Sequence, residues 1–179
     1  MKWNLDTTHS AADFAVKHLM ISTVRGRFKK LTGSGETSED GTLKSVEMTI
    51  DAASIDTNEP KRDDHLRSPD FFDVASYPAI TFRSTSIRQN GSDIAIAGDL
   101  TIRGVTKPVT LKGDITGAVT DPWGNTRAGL EVSTKISRKE WGLLWNAVLE
   151  TGGFAVGDEV RVSVEVEAVA MQEQVPVAA

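Results

Sequence analysis

The sequence contains no cysteine among its 179 residues. Disulfides, thiol nucleophiles and Cys-ligated zinc or iron–sulfur sites are therefore excluded. Histidine is nearly as scarce, with only His9, His18 and His65. None of the three has the spacing to another histidine or to a matched carboxylate that is typical of a zinc site. We predict no metal site and no required cofactor.

Runs of basic residues are also missing. The chain has 20 Lys and Arg against 25 Asp and Glu, which gives a formal net charge of −5. The sequence has no cluster of basic residues that could bind a phosphate backbone, so we predict that the protein does not bind nucleic acid.

Long apolar runs are absent as well. No segment approaches the roughly 20 apolar residues that cross a bilayer, so we predict no stable membrane insertion. The N-terminal M-K-W-N-L-D alternates from its start and lacks the apolar core of a secretory signal. We expect a cytoplasmic protein, or a periplasmic one if an export signal has been removed. We also expect a single domain over residues 1–170 and a frayed tail over 171–179.

Alternation of apolar and polar residues dominates what is present, and it predicts about eight half-buried strands. Residues 10–19 are interpreted as a strand, with a short helix as the alternative. So many antiparallel strands hide their apolar faces by closing into a barrel or by packing as two sheets. Those faces carry Trp3 and Leu5; Phe14, Val16 and His18; Val24, Gly26 and Phe28; Val46, Met48 and Ile50; Ile80 and Phe82; Ile94, Ile96, Gly98, Leu100 and Ile102; Val109, Leu111, Gly113 and Ile115; Leu130, Val132, Thr134 and Ile136; and Val160, Val162, Val164 and Val166.

The segment from Ser54 to Phe82 is the one long stretch without strand alternation. Its prolines limit it to a helix of about two turns near residues 61–68. Because Phe71 and Phe72 have no reason to lie in a solvated loop, we predict that the segment is a lid over an apolar opening. The alternative is a satellite core that pins a crossover. Within the segment, Arg62 and Asp63 are expected to tie and cap the helix.

Three inward positions are glycine, namely Gly26, Gly98 and Gly113. Glycine removes packing volume, so the three together favour a cavity over a filled core. The alternative is that they mark bulges or sharp bends. A second apolar segment, Trp141 to Leu149, is either a wall of that cavity or a surface that packs on a second copy of the chain.

Five ordered blocks resemble a known family. They are D-T-T-H-S-A-A-D-F-A-V-K-H-L, S-I-D-T, R-D-D-H-L-R-S-P-D-F-F-D, Y-P-A-I-T-F and G-D-L-T-I-R-G-V-T-K-P-V. Over residues 3 to about 166 the chain is similar to the YceI family of lipocalin-like isoprenoid-binding proteins. The resemblance implies an all-β, roughly eight-stranded antiparallel lipocalin-like barrel that holds a long isoprenoid lipid or isoprenoid quinone, without catalysis, and it makes a homodimer plausible.

The predicted ligand contacts combine the inward faces with the lid, and no catalytic residue is predicted. His18 either bonds a ligand's carbonyl or hydroxyl or is satisfied by backbone. One alternative function is an enzyme that isomerises or cyclises a lipid using His18 with Asp13 or Asp63. The other is a solid-core self-association module that uses the 141–149 segment. The predicted contacts are Phe14, Val16, His18, Phe28, Met48, Ile50, Phe71, Phe72, Phe82, Leu100, Ile102, Leu130, Ile136 and Trp141.

Overall fold

A computed structural model describes residues 1–171 and gives eleven strands, one α-helix and two short 3-10 helices. Residues 172–179 of the predicted frayed tail lie outside this range. The strands are β1 (Lys2–Leu5), β2 (Ala11–His18), β3 (Ser22–Phe28), β4 (Leu31–Thr37), β5 (Leu43–Asp51), β6 (Ile55–Asp56), β7 (Ala79–Asn90), β8 (Asp93–Ile102), β9 (Val105–Thr120), β10 (Thr126–Ser137) and β11 (Val156–Ala170). The helix α1 is Pro60–Arg67, and the 3-10 turns are Ala52–Ser54 and Arg138–Trp141.

Eight of these strands close into an antiparallel barrel. Their order is β1-β4-β5-β7-β8-β9-β10-β11, and the pairing of β1 with β11 completes the ring. Closure removes the exposed edges that an open sheet of this size would carry. The predicted all-β, lipocalin-like barrel is therefore confirmed, with β2, β3 and β6 as additional strands.

The long strand β11 connects the additional strands to the barrel. One edge of β11 pairs with β1 at Ala168–Ala170 and with β2 from Val156 to Glu165, so β1 and β2 lie end to end. The sheet continues from β2 to β3 and then to β6. No pairing joins β6 to β5 among the described residues, and β6 belongs to residues 52–78, the segment that connects β5 to β7. We call residues 52–78 the lid segment, and the barrel end that it covers the lid end.

Local sequence explains the turns and the helix. Asn90-Gly91 ends β7 in a hairpin, as predicted, with Gly91 at a φ of 63°. Pro60 occupies the first turn of α1, where its missing N–H costs nothing, and the Glu59 side chain accepts from the Lys61 N–H. Residues 11–18 form a strand, so the helix alternative for that stretch is wrong.

Two clusters of buried side chains fill the two ends of the barrel. The cluster at the lid end is centred on Trp141 and Ile55, each with 1% of its surface exposed. The other is centred on Ile96, which is fully buried. Apolar faces of the strands meet in both, as the alternation predicts.

Candidate lipid-binding cavity

A cavity of about 260 Å³ runs through the barrel and is lined by residues of both clusters. Six positions of β11 face it, from Val156 to Ala168. Because a strand rises about 3.3 Å per residue, the stretch from Val160 to Ala168 alone follows the cavity for roughly 26 Å. The cavity is therefore long and narrow, a shape that suits an extended chain.

Thirteen of the fourteen predicted contacts line this cavity. That these side chains bind a ligand stays a prediction, but the structure does bring them together. They are Phe14, Val16, Phe28, Met48, Ile50, Phe71, Phe72, Phe82, Leu100, Ile102, Leu130, Ile136 and Trp141.

His18 is the predicted contact that does not line the cavity. It is the last residue of β2 and pairs with Ser22 across the β2–β3 turn. Alternation assigned it to the register of Phe14 and Val16, and its partner across the sheet, Val156, does line the cavity. That His18 bonds a ligand stays a prediction.

The lid segment is anchored by polar contacts at its base. The buried Asp63 carboxylate accepts from the Thr57 N–H at 2.9 Å and from the Thr57 hydroxyl at 2.6 Å. The Arg62 guanidinium donates to the hydroxyl oxygen and to the carbonyl oxygen of the same threonine. These bonds confirm that Arg62 and Asp63 tie the helix to its neighbours, and the helix N-cap itself is Glu59.

The anchored helix places two phenylalanines over the barrel end. Phe71 and Phe72 follow α1, and both line the cavity. Phe72 meets Phe28 of the barrel edge to face, with ring centroids 5.7 Å apart. The Phe71 carbonyl accepts from the Arg103 guanidinium at 2.9 Å, which fixes it to the β8–β9 turn. The lid segment therefore contributes apolar wall to the cavity.

Residues 142–155, between the 3-10 turn and β11, cover the rest of this end, and we call them the rim loop. Arg138 holds the loop: its guanidinium, 5% exposed, donates to the carbonyls of Leu143, Trp145, Val156 and Gly157 at 2.5–3.3 Å. Burial lowers the pKa of Arg138 from its ordinary value. Four carbonyl partners compensate for much of the desolvation of the charge.

The inner side of this region lines the cavity. Trp141 and Leu143 are buried there, and the Trp141 indole N–H donates to the Leu100 carbonyl at 3.1 Å. Leu144 and Val148 point away and are exposed. The segment is thus a wall of the cavity on one side, as one of the two predictions had it, and an apolar surface on the other.

The lid segment and the rim loop meet at an aromatic contact. Trp145 lies against His65 and Phe71, with ring centroids 4.7 Å and 5.4 Å apart. His65 is in turn 2.8 Å from Asp70 through its Nε2. This three-ring contact forms a seam across the lid end of the barrel.

The inward glycines act differently from the prediction. A Cβ at Gly26 would lie 2.5 Å from the Phe14 ring, and one at Gly98 would lie 2.4 Å from the Phe82 ring. At Gly113 a Cβ would lie 1.9 Å from the Glu131 carbonyl oxygen. The volume that these glycines release is taken by neighbouring rings and backbone, and none of the three lines the cavity. They permit close approach, and the inference of empty space from them is wrong.

Sequence reasoning missed the small residues that widen the far end of the cavity. Alternation of large apolar residues gave no signal for them, because the β4 sequence L-T-G-S-G-E-T is typical of a loop. The small cavity-lining residues there are Ala12, Gly33, Ser34, Gly35, Ala128, Gly129 and Ala168.

Polar side chains on the cavity wall are few and mostly engaged elsewhere. Asp13 pairs with Arg27 at 2.9 Å, and Glu47 pairs with Arg83 at 2.8 Å. Within residues 1–171, no buried side-chain nitrogen or oxygen lacks a hydrogen-bond partner. The cavity wall is therefore almost entirely apolar. The wall residues with a charged or hydroxyl side chain are Asp13, Ser34, Thr37, Glu47, Thr134 and Arg138.

A separate polar cluster ties the β1–β2 corner to β10 and β11. Asp6, His9 and Glu167 place ligand atoms within 4.8 Å of one another. The Arg127 guanidinium contacts the carboxylates of both Asp6 and Glu167. A cation thus already neutralises these acids, and we interpret the cluster as a structural tie.

The cluster shifts the protonation of its carboxyls. Bonds from the Thr8 hydroxyl, His9 and Arg127 lower the pKa of Asp6 well below its usual range. The Arg127 guanidinium also lies 2.7 Å from the Asp121 carboxylate, and this contact lowers the pKa of Asp121.

No α-helix in the part of the chain that the structure describes has the length and apolar character to cross a membrane.

Comparison with known proteins agrees with this architecture. A family model described as a YceI-like domain matches residues 3–168. Protein YceI of Escherichia coli O17:K52:H18 is 44% identical over 136 residues, which cover 75% of this chain and 71% of that protein. The YCEI protein of Campylobacter jejuni has a TM-score of 0.75 at 29% identity, with 87% of this chain and 90% of that chain covered. A polyisoprenoid binding domain from Saccharophagus degradans shares the fold, with a TM-score of 0.67 at 17% identity over 94% of this chain and 98% of that chain.

Proposed function

This chain belongs to the YceI-like domain family, and we propose that it binds the apolar chain of an isoprenoid lipid in its barrel cavity without catalysing a reaction. The observation that carries the proposal is the cavity itself. It is elongated, its wall is almost entirely apolar, and aromatic side chains of two covering segments close one end of it.

The volume of the cavity favours a narrow ligand. At about 260 Å³ it lies just below the range of roughly 300–1,000 Å³ that is typical of ligand pockets. A linear or branched hydrocarbon chain fits such a channel better than a fused ring system does. An isoprenoid alcohol or the tail of an isoprenoid quinone has that form.

Apolar contact alone supplies enough free energy. At about 0.3 kcal/mol per heavy atom, a chain of roughly 30 carbons gains about 9 kcal/mol, which corresponds to sub-micromolar binding. No buried ion pair with a headgroup is needed. This agrees with a wall on which Asp13 and Glu47 are already paired with arginines of the protein.

The polyisoprenoid binding domain that shares the fold supports the same ligand class. The arrangement of titratable groups supports binding without catalysis. The candidate base His18 lies off the cavity wall, Asp63 is held by Thr57, and Asp13 is held by Arg27. The three residues of the enzyme alternative therefore do not meet in one site.

Extraction of the purified protein with organic solvent, followed by mass spectrometry, tests the proposal. We expect a long-chain isoprenoid in the extract, or its stoichiometric uptake when an isoprenoid alcohol or quinone is supplied in detergent. A protein that neither carries nor takes up such a lipid would refute the proposal. Conversion of the supplied lipid into a new product would refute the non-enzymatic part.

A further inference from the structure

Two turns at the lid end expose apolar side chains side by side. Met20 and Ile21, in the β2–β3 turn, have 69% and 82% of their surface exposed. Leu144, Val148 and Phe154 of the rim loop are 62%, 78% and 54% exposed. We call these five residues the apolar tip.

Backbone contacts join the two turns into one surface. The Leu19 N–H donates to the Ala155 carbonyl at 2.8 Å, and Val148 bridges to Phe154 across the rim loop. The Met20 sulfur lies directly over Gly153, where a side chain would collide with it. The apolar tip is therefore continuous and protrudes from the barrel. Exposed apolar surface of this kind marks an interaction site in a soluble domain.

Three exposed cations lie on the β-sheet that leads to the apolar tip. Lys17, Arg25 and Arg161 are exposed on β2, β3 and β11, and the register places Ala15 between Arg161 and Arg25. None of the three cations is in an ion pair within residues 1–171.

The acids near these cations are already engaged. Asp13 is paired with Arg27, and Glu159 is paired with Lys135. In addition, the sequence from 14 to 35 contains no Asp or Glu, although the chain has 25 of them. The β-sheet surface behind the apolar tip is thus positive on a protein that is negative overall, and the rim loop itself carries one exposed acid, Glu150.

The cavity lies directly beneath the apolar tip. Leu143 of the rim loop and Val156, which follows it, line the cavity, while Leu144 and Phe154 of the same loop are exposed. One layer of chain therefore separates the bound-lipid site from the exposed apolar surface.

We propose that the lid end docks on an anionic lipid bilayer, with the apolar tip inserted among the headgroups and Lys17, Arg25 and Arg161 beside the phosphates. The purpose assigned to this docking, transfer of lipid between bilayer and cavity, rests on the proposed function. A bilayer fits this surface better than a second copy of the chain. A two-fold contact through the apolar tip would bring identical cations of the two copies together.

The opposite end of the barrel provides the comparison. Trp123 is 81% exposed there, so an apolar side chain is available at both ends. Its turn, residues 121–125, contains Asp121 and no Lys or Arg. That turn therefore lacks the cations that lie near the apolar tip.

Sedimentation of the full chain with vesicles of phosphatidylcholine and phosphatidylglycerol tests the docking. We expect the wild-type protein to sediment with the vesicles. The double variant Met20→Asp/Ile21→Asp should bind them about tenfold less, because the inserted apolar contact is lost. Aspartate is also tolerated at residue 20, where φ is 63°. Trp123→Asp is the matched control and should bind as the wild type does.

A second pair of variants separates the charge from the apolar contact. Lys17→Gln/Arg25→Gln should weaken binding severalfold and flatten its salt dependence. The control Lys44→Gln/Lys112→Gln removes the same net charge from two exposed residues elsewhere on the barrel and should change little.

Several results would overturn the docking proposal: no vesicle binding by the wild type, equal binding by the Met20/Ile21 variant, or a dimer in analytical ultracentrifugation that this variant converts to monomer. Uptake of an isoprenoid alcohol from detergent, measured without vesicles, keeps the two proposals apart. The Met20/Ile21 variant should retain that uptake. If the variant lost uptake as well, its weaker vesicle binding would count against the docking proposal. Absence of uptake by the wild type would instead refute lipid binding, while the vesicle result would still decide the docking.

Discussion

The indole ring of Trp145 lies 5.4 Å from the phenyl ring of Phe71. The contact joins the rim loop to the lid segment, two parts of the chain that are far apart in sequence and each cover part of the same barrel end. An aromatic pair of this kind contributes about 0.5–1.5 kcal/mol beyond the area that it buries. The contact therefore links the two segments that cover the cavity.

Phe72→Asp should abolish isoprenoid uptake while the strands persist in the circular dichroism spectrum. The substitution places a charge on the apolar wall of the cavity, next to Phe28. Ser76→Asp, at an exposed residue of the same segment, is the control and should bind normally. Unchanged uptake by Phe72→Asp would remove the lid segment from the binding mechanism.

Gly113→Ala should destabilise the barrel by about 2 kcal/mol, because the new Cβ would collide with the Glu131 carbonyl oxygen and the β9–β10 pairing must shift. Gly117→Ala lies on the same strand, where a Cβ meets no atom within 4 Å. It should be neutral or slightly stabilising. Urea unfolding of both variants measures the difference, and equal midpoints would contradict the close-approach role of Gly113.

Arg138→Met should lower the free energy of unfolding by about 3 kcal/mol, since it leaves four carbonyls without their donor. Hydrogen exchange should rise first in the rim loop. Arg83→Met breaks an exposed pair with Glu47 and should cost at most about 1 kcal/mol. If the two variants lost equal stability, Arg138 would not hold the loop.

The Arg127 cluster predicts a pH dependence of stability. The pKa values of Asp6 and Asp121 are lowered in the folded protein. Their contribution is therefore complete above the ordinary carboxyl pKa of about 3.9 and is lost as the pH falls through the lowered folded values. Arg127→Gln should be less stable than the wild type at neutral pH, and the gap should narrow in acid. Urea midpoints at neutral pH and in strong acid measure this, and a constant gap would contradict it.

The strands could be predicted because their apolar and polar residues alternate, as in Val160 to Val166 of β11. The same signal identified most of the cavity wall, since inward positions on a barrel are wall positions. It failed for β4, whose glycines are typical of a loop, and therefore for the small residues at the far end. The inward glycines predicted a cavity. The cavity exists, but these glycines do not create it, because Phe14 and Phe82 occupy the volume that Gly26 and Gly98 release.

The remaining features depend on contacts that no local pattern encodes. In the Arg127 cluster, Arg127 contacts Asp6, 121 positions away, and Glu167, 40 positions away. The four bonds of Arg138 require the rim loop to fold back over a 3-10 turn. For His18, the strand register was right, and only the three-dimensional structure shows that the residue is not part of the cavity wall.

The most direct test of the central claim is an electron-density map of the protein purified without added ligand. Lipid binding in the barrel predicts continuous, elongated density along the cavity, from near Trp141 at the lid end toward Ala168. A channel that holds only ordered water, or one closed by side chains from opposite walls, would contradict the claim.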